Sequence, residues 1–563
     1  MAHRTLRRVL LAWLAVAGCA VQAQEAARFD WFDYRGHDAA FEQPLKPSEY
    51  RNPVLAGFYP DPGAVRVGDR YYLVNSSFSY FPGLPVSESR DLVHWRTIGH
   101  VISRPSQMDF DGQGISRGLF APTIAYHDGL FYVVNTNIDG GGNFVVTAKD
   151  PAGPWSDPTW LRGLDDAIDP SLFFDADGRA YLLNNGPPPG TPRYEGHRAI
   201  WMQQFDLATL QPIGPRKVLL DGGVDIRKQP IWIEGPHLYR RHGWYYLSCA
   251  EGGTGPQHSQ VILRSRSPWG PYTPWQGNPI LTQRDLPDDR AEPVINAGHA
   301  ELLEAPDGQW WALFLASRGY GRTHFNTGRE TWLLPVRWQD GWPQILPHGQ
   351  AIPRVVAGPT DMQRDATQAP MSGNFEWRDD FDRATLDSAW MSLRNASEGW
   401  ADLAASPGWL TLHPHSDGLD SLHTPAFLAR RQQHLAFDAS TLLQVPAHSG
   451  TAAGLAAFQN ETHWYFLGVR RTGAQAEVFL ERRDGDATRV VGRATVSPGK
   501  AMQLRIAGDG GRYSFAYDAD GKGWRWLRRD DDATFLSTDV AGGFLGAVLG
   551  PYARIEAAQQ PGG

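Results

Sequence analysis

The chain has 563 residues, a formal net charge of −8 at pH 7, 42% hydrophobic residues and 20% charged residues. This length exceeds one ordinary domain, and the composition is that of a globular protein rather than a disordered one. A mildly acidic chain without lysine or arginine runs binds nucleic acid and anionic membranes poorly, which argues against both partners.

The first 23 residues have the pattern of a secretory signal peptide. Arginines precede an apolar run over 9–16, which is far shorter than the ~20 residues that a membrane span needs. The small residues over 21–23 resemble a cleavage site, whereas the segment ending in Cys19 resembles a lipobox. We therefore predict an exported protein, periplasmic or secreted, with lipidation at Cys19 as the alternative. Once the leader is removed, Cys249 has no cysteine partner for an intrachain disulfide.

A glycine turn followed by alternating aromatic and branched residues recurs along the first part of the chain. The turn glycines are Gly68, Gly129, Gly178, Gly243 and Gly308. Each turn is typical of a tight hairpin that leads into a strand. A period of about 50–65 residues with short strands in each unit indicates a β-propeller with one blade per unit. We predict five blades over 45–346.

A short polar or proline-containing phrase precedes every one of these turns. The phrases are Pro60-Asp61-Pro62, Ala121-Pro122-Thr123, Asp169-Pro170-Ser171, Glu234-Gly235-Pro236 and Gly298-His299-Ala300. In a propeller the first strand of each blade lines the central channel, so equivalent positions converge at one end of the axis. The repeat therefore predicts that Asp61, Asp169, Glu234 and His299 meet there, with the region of Phe120 in the remaining sector.

The repeat ends near Trp342, and the sequence pattern changes after it. Residues 347–375 are rich in Pro, Gly, Ala and Gln without periodicity, which is typical of a linker. Short alternating segments such as 453–458 and 464–469 follow, and no helix of any length is indicated. We predict a second all-β domain, a β-sandwich, over 376–560. The fold class is all-β throughout.

Three carboxylates around one channel suggest glycoside hydrolysis. That reaction needs a protonated acid for the leaving oxygen and an ionised carboxylate that activates water or attacks directly. We assign the acid to Glu234, which has the longer side chain, and the base to Asp61, which is restricted between two prolines. Asp169 would raise the pKa of the acid by charge repulsion. Any one of these residues alone is typical of a turn, and His299 alone is typical of a hydrogen-bonded channel histidine.

The phrases around these residues resemble those of glycoside hydrolase family 43 and, within it, the bacterial β-xylosidases. The similar segments are 57–62, 81–83, 89–95, 168–173, 234–239, 297–300 and 328–331. The resemblance implies an inverting mechanism with Asp61 as base, Asp169 as modulator and Glu234 as acid. It also implies that the C-terminal domain is a concanavalin-like sandwich that closes the cleft into a pocket, which favours exo action.

The same resemblance implies roles for further residues. Phe78 is expected to line the sugar pocket, Arg329 to contact sugar hydroxyls and His299 to lie at the pocket floor. A salt bridge from Arg329 to Glu330 or to another nearby acid is the structural alternative. Hydrolysis needs no metal or other cofactor, although a structural calcium ion near His299 is compatible with the resemblance.

The sugar preference stays open because of one departure from the family. Relatives often have Trp-Ala-Pro where this chain has Phe120-Ala121-Pro122, and phenylalanine stacks but lacks the indole N–H donor. One scaffold serves xylosidases, arabinofuranosidases and arabinanases. We predict a β-1,4-xylosidase acting on the non-reducing end of xylo-oligosaccharides. The alternatives are an α-L-arabinofuranosidase or another arabinan-degrading enzyme, acting on arabinose-containing hemicellulose fragments, and a sugar-binding propeller without catalysis.

Overall fold

The computed structural model describes residues 25–287, 289–360, 362, 370–497 and 499–556, so the predicted leader lies outside the described residues. Regular structure in the described part is almost entirely β-strand, as predicted. The helical elements there are the α-helix Thr538–Ala541 and the 3-10 turns Ala39–Phe41, Ile226–Lys228 and Thr534–Leu536. None of the described helices has the length and apolar character needed to cross a membrane.

The first domain is a five-bladed propeller of antiparallel four-stranded blades, which confirms the prediction from the repeats. From the axis outward, the strands of blade I are Gly63–Val67, Arg70–Val74, Gly83–Ser89 and Trp95–Ile102. Those of blade II are Thr123–His127, Leu130–Asn137, Gly142–Ala148 and Thr159–Trp160. Those of blade III are Ile168–Phe174, Ala180–Gly186, Ala199–Asp206 and Gln211–Asp221. Those of blade IV are Glu234–Arg241, Trp244–Glu251, Ser259–Ser265 and Thr273–Pro274. Those of blade V are Val294–Glu304, Trp310–Arg318, Glu330–Gln339 and Trp342–Gln344. The short strand Leu281–Thr282 adds to the third strand of blade IV.

The five repeated glycines lie in the turns between the first and second strands of the blades. Their φ angles are positive and run from 62° at Gly68 to 83° at Gly178. Glycine adopts this conformation without a steric penalty from a Cβ atom, which explains why it recurs at this position.

Hydrogen bonds between the two ends of the propeller close the ring. The N–H of Val54, before blade I, donates to the carbonyl of Thr331 in blade V at 2.9 Å. Asn52 and Leu333 exchange two bonds, one at 2.8 Å from the amide of Asn52 and one at 2.9 Å to it. The N–H of Tyr59 donates to the carbonyl of Arg329 at 3.1 Å. These bonds bring Arg329 beside the start of blade I.

The second domain is a β-sandwich of two antiparallel sheets. One sheet has the order Ala401–Asp402, Leu410–Leu412, Ala27–Gly36, Ala436–Gln444, Ala501–Asp509, Arg512–Asp518 and Arg525–Asp532, with Glu376–Asp379 paired to Ala27–Gly36. The other has the order Ala487–Val496, Gln475–Asp484, His463–Thr472, Thr451–Asn460, Val548–Ile555, Leu428–Arg431, Met391–Leu393 and Tyr80–Phe81. Its core contains Phe32, Leu455 and Leu504, all buried.

The two domains share strands, which the sequence patterns did not indicate. Ala27–Gly36 precedes the propeller in sequence but lies inside a sandwich sheet, and Tyr80–Phe81 leaves blade I to pair with Met391–Leu393. Within the predicted linker, Val355–Ala357 pairs with Glu49–Arg51. The chain therefore crosses between the domains several times, which holds them in a defined arrangement.

Candidate active site

A cavity of about 330 Å³ lies at the end of the propeller axis where the inner strands begin. All seven residues predicted for the site line it: Asp61, Phe78, Phe120, Asp169, Glu234, His299 and Arg329. The remaining lining residues are Ala121, Ile168, Trp232, Gly253, Thr254 and Phe544. The convergence predicted from the repeat is therefore present in the structure.

The backbone bulges where the inner strands reach the cavity. The pairing register with the second strand shifts around Asp169, Gly235 and His299. These residues have φ angles of 53°, 53° and 52°, and Asp61 in blade I has 52°. A left-handed residue interrupts the ladder and re-aims the local side chains. The proline that follows Asp61, Asp169 and Gly235 suits this break, because it has no N–H to donate.

Glu234 does not occupy the same repeat position as the two aspartates, contrary to the prediction. The left-handed position in blade IV is Gly235, and Glu234 corresponds to Ile168, the last paired residue before the bulge of blade III. In sequence, the phrases of blades III and IV are similar enough that an offset of one residue is not visible. Only the backbone conformation shows that Gly235, and not Glu234, corresponds to Asp169. A Cβ at Gly235 would lie 2.9 Å from the ring of His299, so the packing requires glycine there.

Asp61 is buried among groups that favour its ionised form. Arg329 donates from Nη1 to Oδ1 at 2.9 Å and from Nη2 to Oδ2 at 3.4 Å, and Ser76 Oγ donates to Oδ2 at 2.6 Å. Burial by itself raises the pKa of Asp61, but Arg329, His299 and Ser76 outweigh burial, and the pKa lies below its usual value. Asp61 is thus a carboxylate that can accept a proton.

Glu234 and Asp169 lie in the opposite electrostatic environment. Burial, followed by repulsion from Asp169 and Asp61, raises the pKa of Glu234 well above its usual value. Burial and the charge of Asp61 also raise the pKa of Asp169, whose Oδ2 accepts a bond from the N–H of Gly235 at 3.1 Å. Arg198 and Arg329 oppose these shifts without reversing them. Glu234 can therefore hold a proton while Asp61 is ionised.

His299 lies beside the base. Its Nδ1 lies 3.9 Å from Oδ1 of Asp61. Burial lowers the pKa of His299 to about 4, so the ring is neutral at pH 7. At pH 7 the ring therefore adds no second positive charge beside Arg329, and its charge lowers the pKa of Asp61 only at acidic pH, where the ring is protonated.

Arg329 pairs with Asp61 and not with Glu330. Glu330 instead accepts two bonds of 2.8 Å each from Arg318. Arg329 also donates to Thr254 Oγ1 at 2.9 Å and to the carbonyl of Phe544 at 3.4 Å. Its guanidinium therefore links the base, the top of blade IV and the sandwich domain.

Phe544 brings the sandwich domain into the cavity. Its ring stacks on Phe78 with centroids 6.1 Å apart and meets Phe120 edge-on at 5.5 Å. Its N–H donates to Ser116 Oγ at 2.8 Å. No local sequence signal marks Phe544, because its place follows from the packing of one domain on the other.

Thr254 and Trp232 also line the cavity, and the sequence patterns did not predict them. Thr254 follows the second strand of blade IV, and Trp232 stands two residues before Glu234. The proximity of Trp232 to a recognised phrase was a usable signal, whereas nothing near Thr254 distinguishes it from an ordinary loop residue.

The residues around His299 do little to favour a calcium ion. Calcium takes roughly six to eight oxygen ligands, whereas the carboxylate of Asp61 beside His299 is already bound to the cationic Arg329. In the described part of the chain, no group of three or more His, Cys, Asp or Glu side chains is arranged to hold a metal. The ion stays a prediction and enters no step of the chemistry below.

Comparison with known proteins assigns both domains. The family model described as Glycosyl hydrolases family 43 matches residues 50–343. The model described as Beta xylosidase C-terminal Concanavalin A-like domain matches residues 378–562.

Individual relatives extend over both domains. A xylosidase/arabinosidase of Butyrivibrio fibrisolvens is 41% identical over 426 residues, which are 75% of this chain and 80% of that protein. A non-reducing end α-L-arabinofuranosidase of Bacteroides ovatus is 36% identical over 516 residues, which are 90% of this chain and 92% of that protein. The crystal structure of a GH43_12 protein from a capybara gut metagenome matches with a TM-score of 0.88 at 39% identity, over 94% of this chain and 99% of that one.

Proposed function

The chain belongs to glycosyl hydrolase family 43 and is a glycosidase, and we propose that it releases xylose from the non-reducing end of β-1,4-xylo-oligosaccharides with inversion of configuration. Two carboxyl groups of opposite proton affinity line one cavity, the buried Asp61 and the half-buried Glu234, and this arrangement carries the proposal. It is the pairing of base and acid that an inverting glycosidase needs.

The proposed reaction is a single displacement by water. Asp61 accepts a proton from the water as its oxygen forms a bond to the anomeric carbon. Glu234 gives its proton to the glycosidic oxygen as the bond from that oxygen to the anomeric carbon breaks. Asp169 supports the second transfer, because its proximity raises the pKa of Glu234. Exchange with solvent then returns a proton to Glu234 and removes one from Asp61.

The shape of the cavity supports action at chain ends. Phe544 covers the cavity from the sandwich domain, and its ring packs against Phe78 and Phe120. A covered cavity of about 330 Å³ suits one terminal sugar better than the middle of a polysaccharide. Phenyl rings also suit xylopyranose, which has no hydroxymethyl group to project from its ring.

α-L-Arabinofuranosidase activity is the second candidate. The Bacteroides ovatus relative carries that name, and the Butyrivibrio fibrisolvens relative carries both activities in its name. The description of the C-terminal family as that of a β-xylosidase supports xylose as the first choice.

Parallel assays distinguish the two candidates. We expect a higher kcat/KM on nitrophenyl β-D-xylopyranoside than on nitrophenyl α-L-arabinofuranoside. With xylobiose, proton NMR should detect the α-anomer of xylose first. A preference for the arabinofuranoside would select the second candidate, and first release of β-xylose would refute inversion.

We also propose that the protein acts after export. The pattern over 1–23 is the support for this proposal, with Cys19 as the alternative lipidation site. Mass spectrometry of the mature N-terminus should find Gln24 first. A diacylglycerol-modified Cys19 would identify a lipoprotein instead.

A further inference from the structure

Trp232 lies in the cavity wall in a conformation that is rare for its residue type. Its φ angle is 50°, and it is 38% exposed although it carries a large apolar ring. A bulky residue in the left-handed region is strained, and such strain persists only where the surroundings impose it. Because the ring is partly exposed, the protein does not gain the full stabilisation that burying it would provide. Neither feature helps the fold, which points to a ligand for the ring.

The loops of two blades hold Trp232 in place. Its N–H donates to the carbonyl of Gly196 in blade III at 2.9 Å, and the N–H of Gly252 in blade IV donates to the carbonyl of Ile231 at 2.9 Å. A Cβ at Gly196 would lie 2.9 Å from Cβ of Ile231, so the two loops are in close contact. The backbone that carries the indole is therefore fixed before any ligand arrives.

Arg198 fixes the ring from one side. Its guanidinium carbon lies 5.0 Å from the centroid of the Trp232 ring. The guanidinium is itself anchored, because Nε donates to Asn185 Oδ1 at 2.8 Å and Nη2 donates to the carbonyl of Asp166. A planar cation against an indole orients the ring and stabilises it by a cation–π interaction.

The position of this pair relative to the acid identifies the part of the substrate that it faces. Trp232 leads directly into the strand that begins with Glu234. Burial lowers the pKa of Arg198, and the negative charges of Asp169 and Glu234 oppose this shift, so Arg198 lies near both carboxyl groups. The cation bound to Asp61 is a different one, Arg329. The acid must reach the oxygen between two sugars, so a group beyond the acid, away from the base, faces the sugar that leaves.

We propose that Trp232, held against Arg198, is the surface on which the leaving sugar stacks, on the reducing-end side of the cleaved bond. This inference rests on the proposed function and extends it to the second sugar. The indole face covers the C–H face of a pyranose, and Arg198 holds the indole in place through the contact on its ring.

Two substrates that share a xylosyl group but differ in leaving group test the role. Xylobiose has a sugar to stack, whereas β-xylosyl fluoride has a single atom. For Trp232→Gly, which removes the ring and suits the positive φ angle, we expect kcat/KM on xylobiose to fall at least ~10-fold. The loss of kcat/KM on the fluoride should be much smaller than the loss on xylobiose.

Further variants keep the test decisive. Trp232→Phe should recover most activity on xylobiose, and it replaces the Gly variant if that variant does not fold. Arg198→Lys should lose activity on xylobiose selectively, because it keeps the charge but not the planar fork. The matched control is Trp526→Gly, since Trp526 is also 38% exposed, lies on an edge strand of the sandwich and does not line the cavity.

The ratio of the two activities decides the outcome. An equal loss on xylobiose and fluoride, or no loss on either, would overturn the assignment of Trp232. If the wild type hydrolyses neither compound, the proposed function fails instead. The same comparison with an arabinofuranosyl disaccharide and the corresponding fluoride then decides the role of Trp232.

Discussion

The Asp61 side and the Glu234 side of the cavity place a carboxyl group in opposite electrostatic environments. Burial raises the pKa of both side chains, so burial alone cannot distinguish a base from an acid. Asp61 has a guanidinium and a hydroxyl as partners, whereas Glu234 lies beside a second carboxyl group, Asp169. Neighbouring charge, rather than residue type, therefore assigns the roles.

Removal of the base should have the largest effect. Asp61→Asn should lower kcat by roughly 10²- to 10⁴-fold on both xylobiose and a nitrophenyl xyloside, because water must be activated whatever group leaves. Steady-state kinetics on both substrates, with circular dichroism as a control for folding, measure this. A loss confined to xylobiose would show that Asp61 is not the base.

Removal of the acid should separate the substrates. Glu234→Gln should lose roughly 10²- to 10⁴-fold in kcat on xylobiose and much less on the nitrophenyl xyloside, whose leaving group needs little protonation. The ratio of the two losses is the measurement. Equal losses would contradict the acid role and remove the asymmetry between the two sides.

Removal of the cation should weaken the Asp61 side alone. Arg329→Ala should lower kcat/KM by roughly 10- to 100-fold, because a charged hydrogen bond is lost. The positive charge lowers the pKa of Asp61, so its removal raises that pKa and moves the acidic limb of the pH–rate profile to higher pH. Arg329→Lys should restore part of the activity. An unmoved acidic limb would contradict this prediction.

Removal of the neighbouring charge should act on the Glu234 side. Asp169 raises the pKa of Glu234, so Asp169→Asn should lower that pKa, and Glu234 would lose its proton at lower pH. The basic limb of the pH–rate profile should move to lower pH while the acidic limb moves less. A shift of the basic limb to higher pH would refute the modulator role.

Removal of a single hydroxyl should have the smallest effect. Ser76→Ala deletes the 2.6 Å bond to Asp61 and should lower kcat/KM at neutral pH by about 10-fold or less. The acidic limb should move to higher pH, but less than in Arg329→Ala. A larger shift than in Arg329→Ala would mean that the hydroxyl and not the guanidinium controls the base.

Local sequence was sufficient to predict the propeller and most of the site. The turn glycines, such as Gly68, impose the hairpins through their own φ angles, so their recurrence predicts five blades without any tertiary information. The prolines after Asp61 and Asp169 mark, for the same local reason, where inner-strand pairing starts in blade I and where it is interrupted in blade III. Closure of the ring then brings these positions together, which explains why a repeat predicts a site.

Only the tertiary structure decided the rest, because it depends on contacts between distant segments. The offset of Glu234 by one residue follows from the backbone conformation of Gly235 and its contact with His299. Phe544 reaches the cavity because the two domains pack together. Arg329 binds Asp61 because ring closure brings it beside blade I, and its sequence neighbour Glu330 is bound by Arg318 instead. Burial and neighbouring charge set the proton affinity of each carboxyl group, and neither is encoded within one short stretch of sequence.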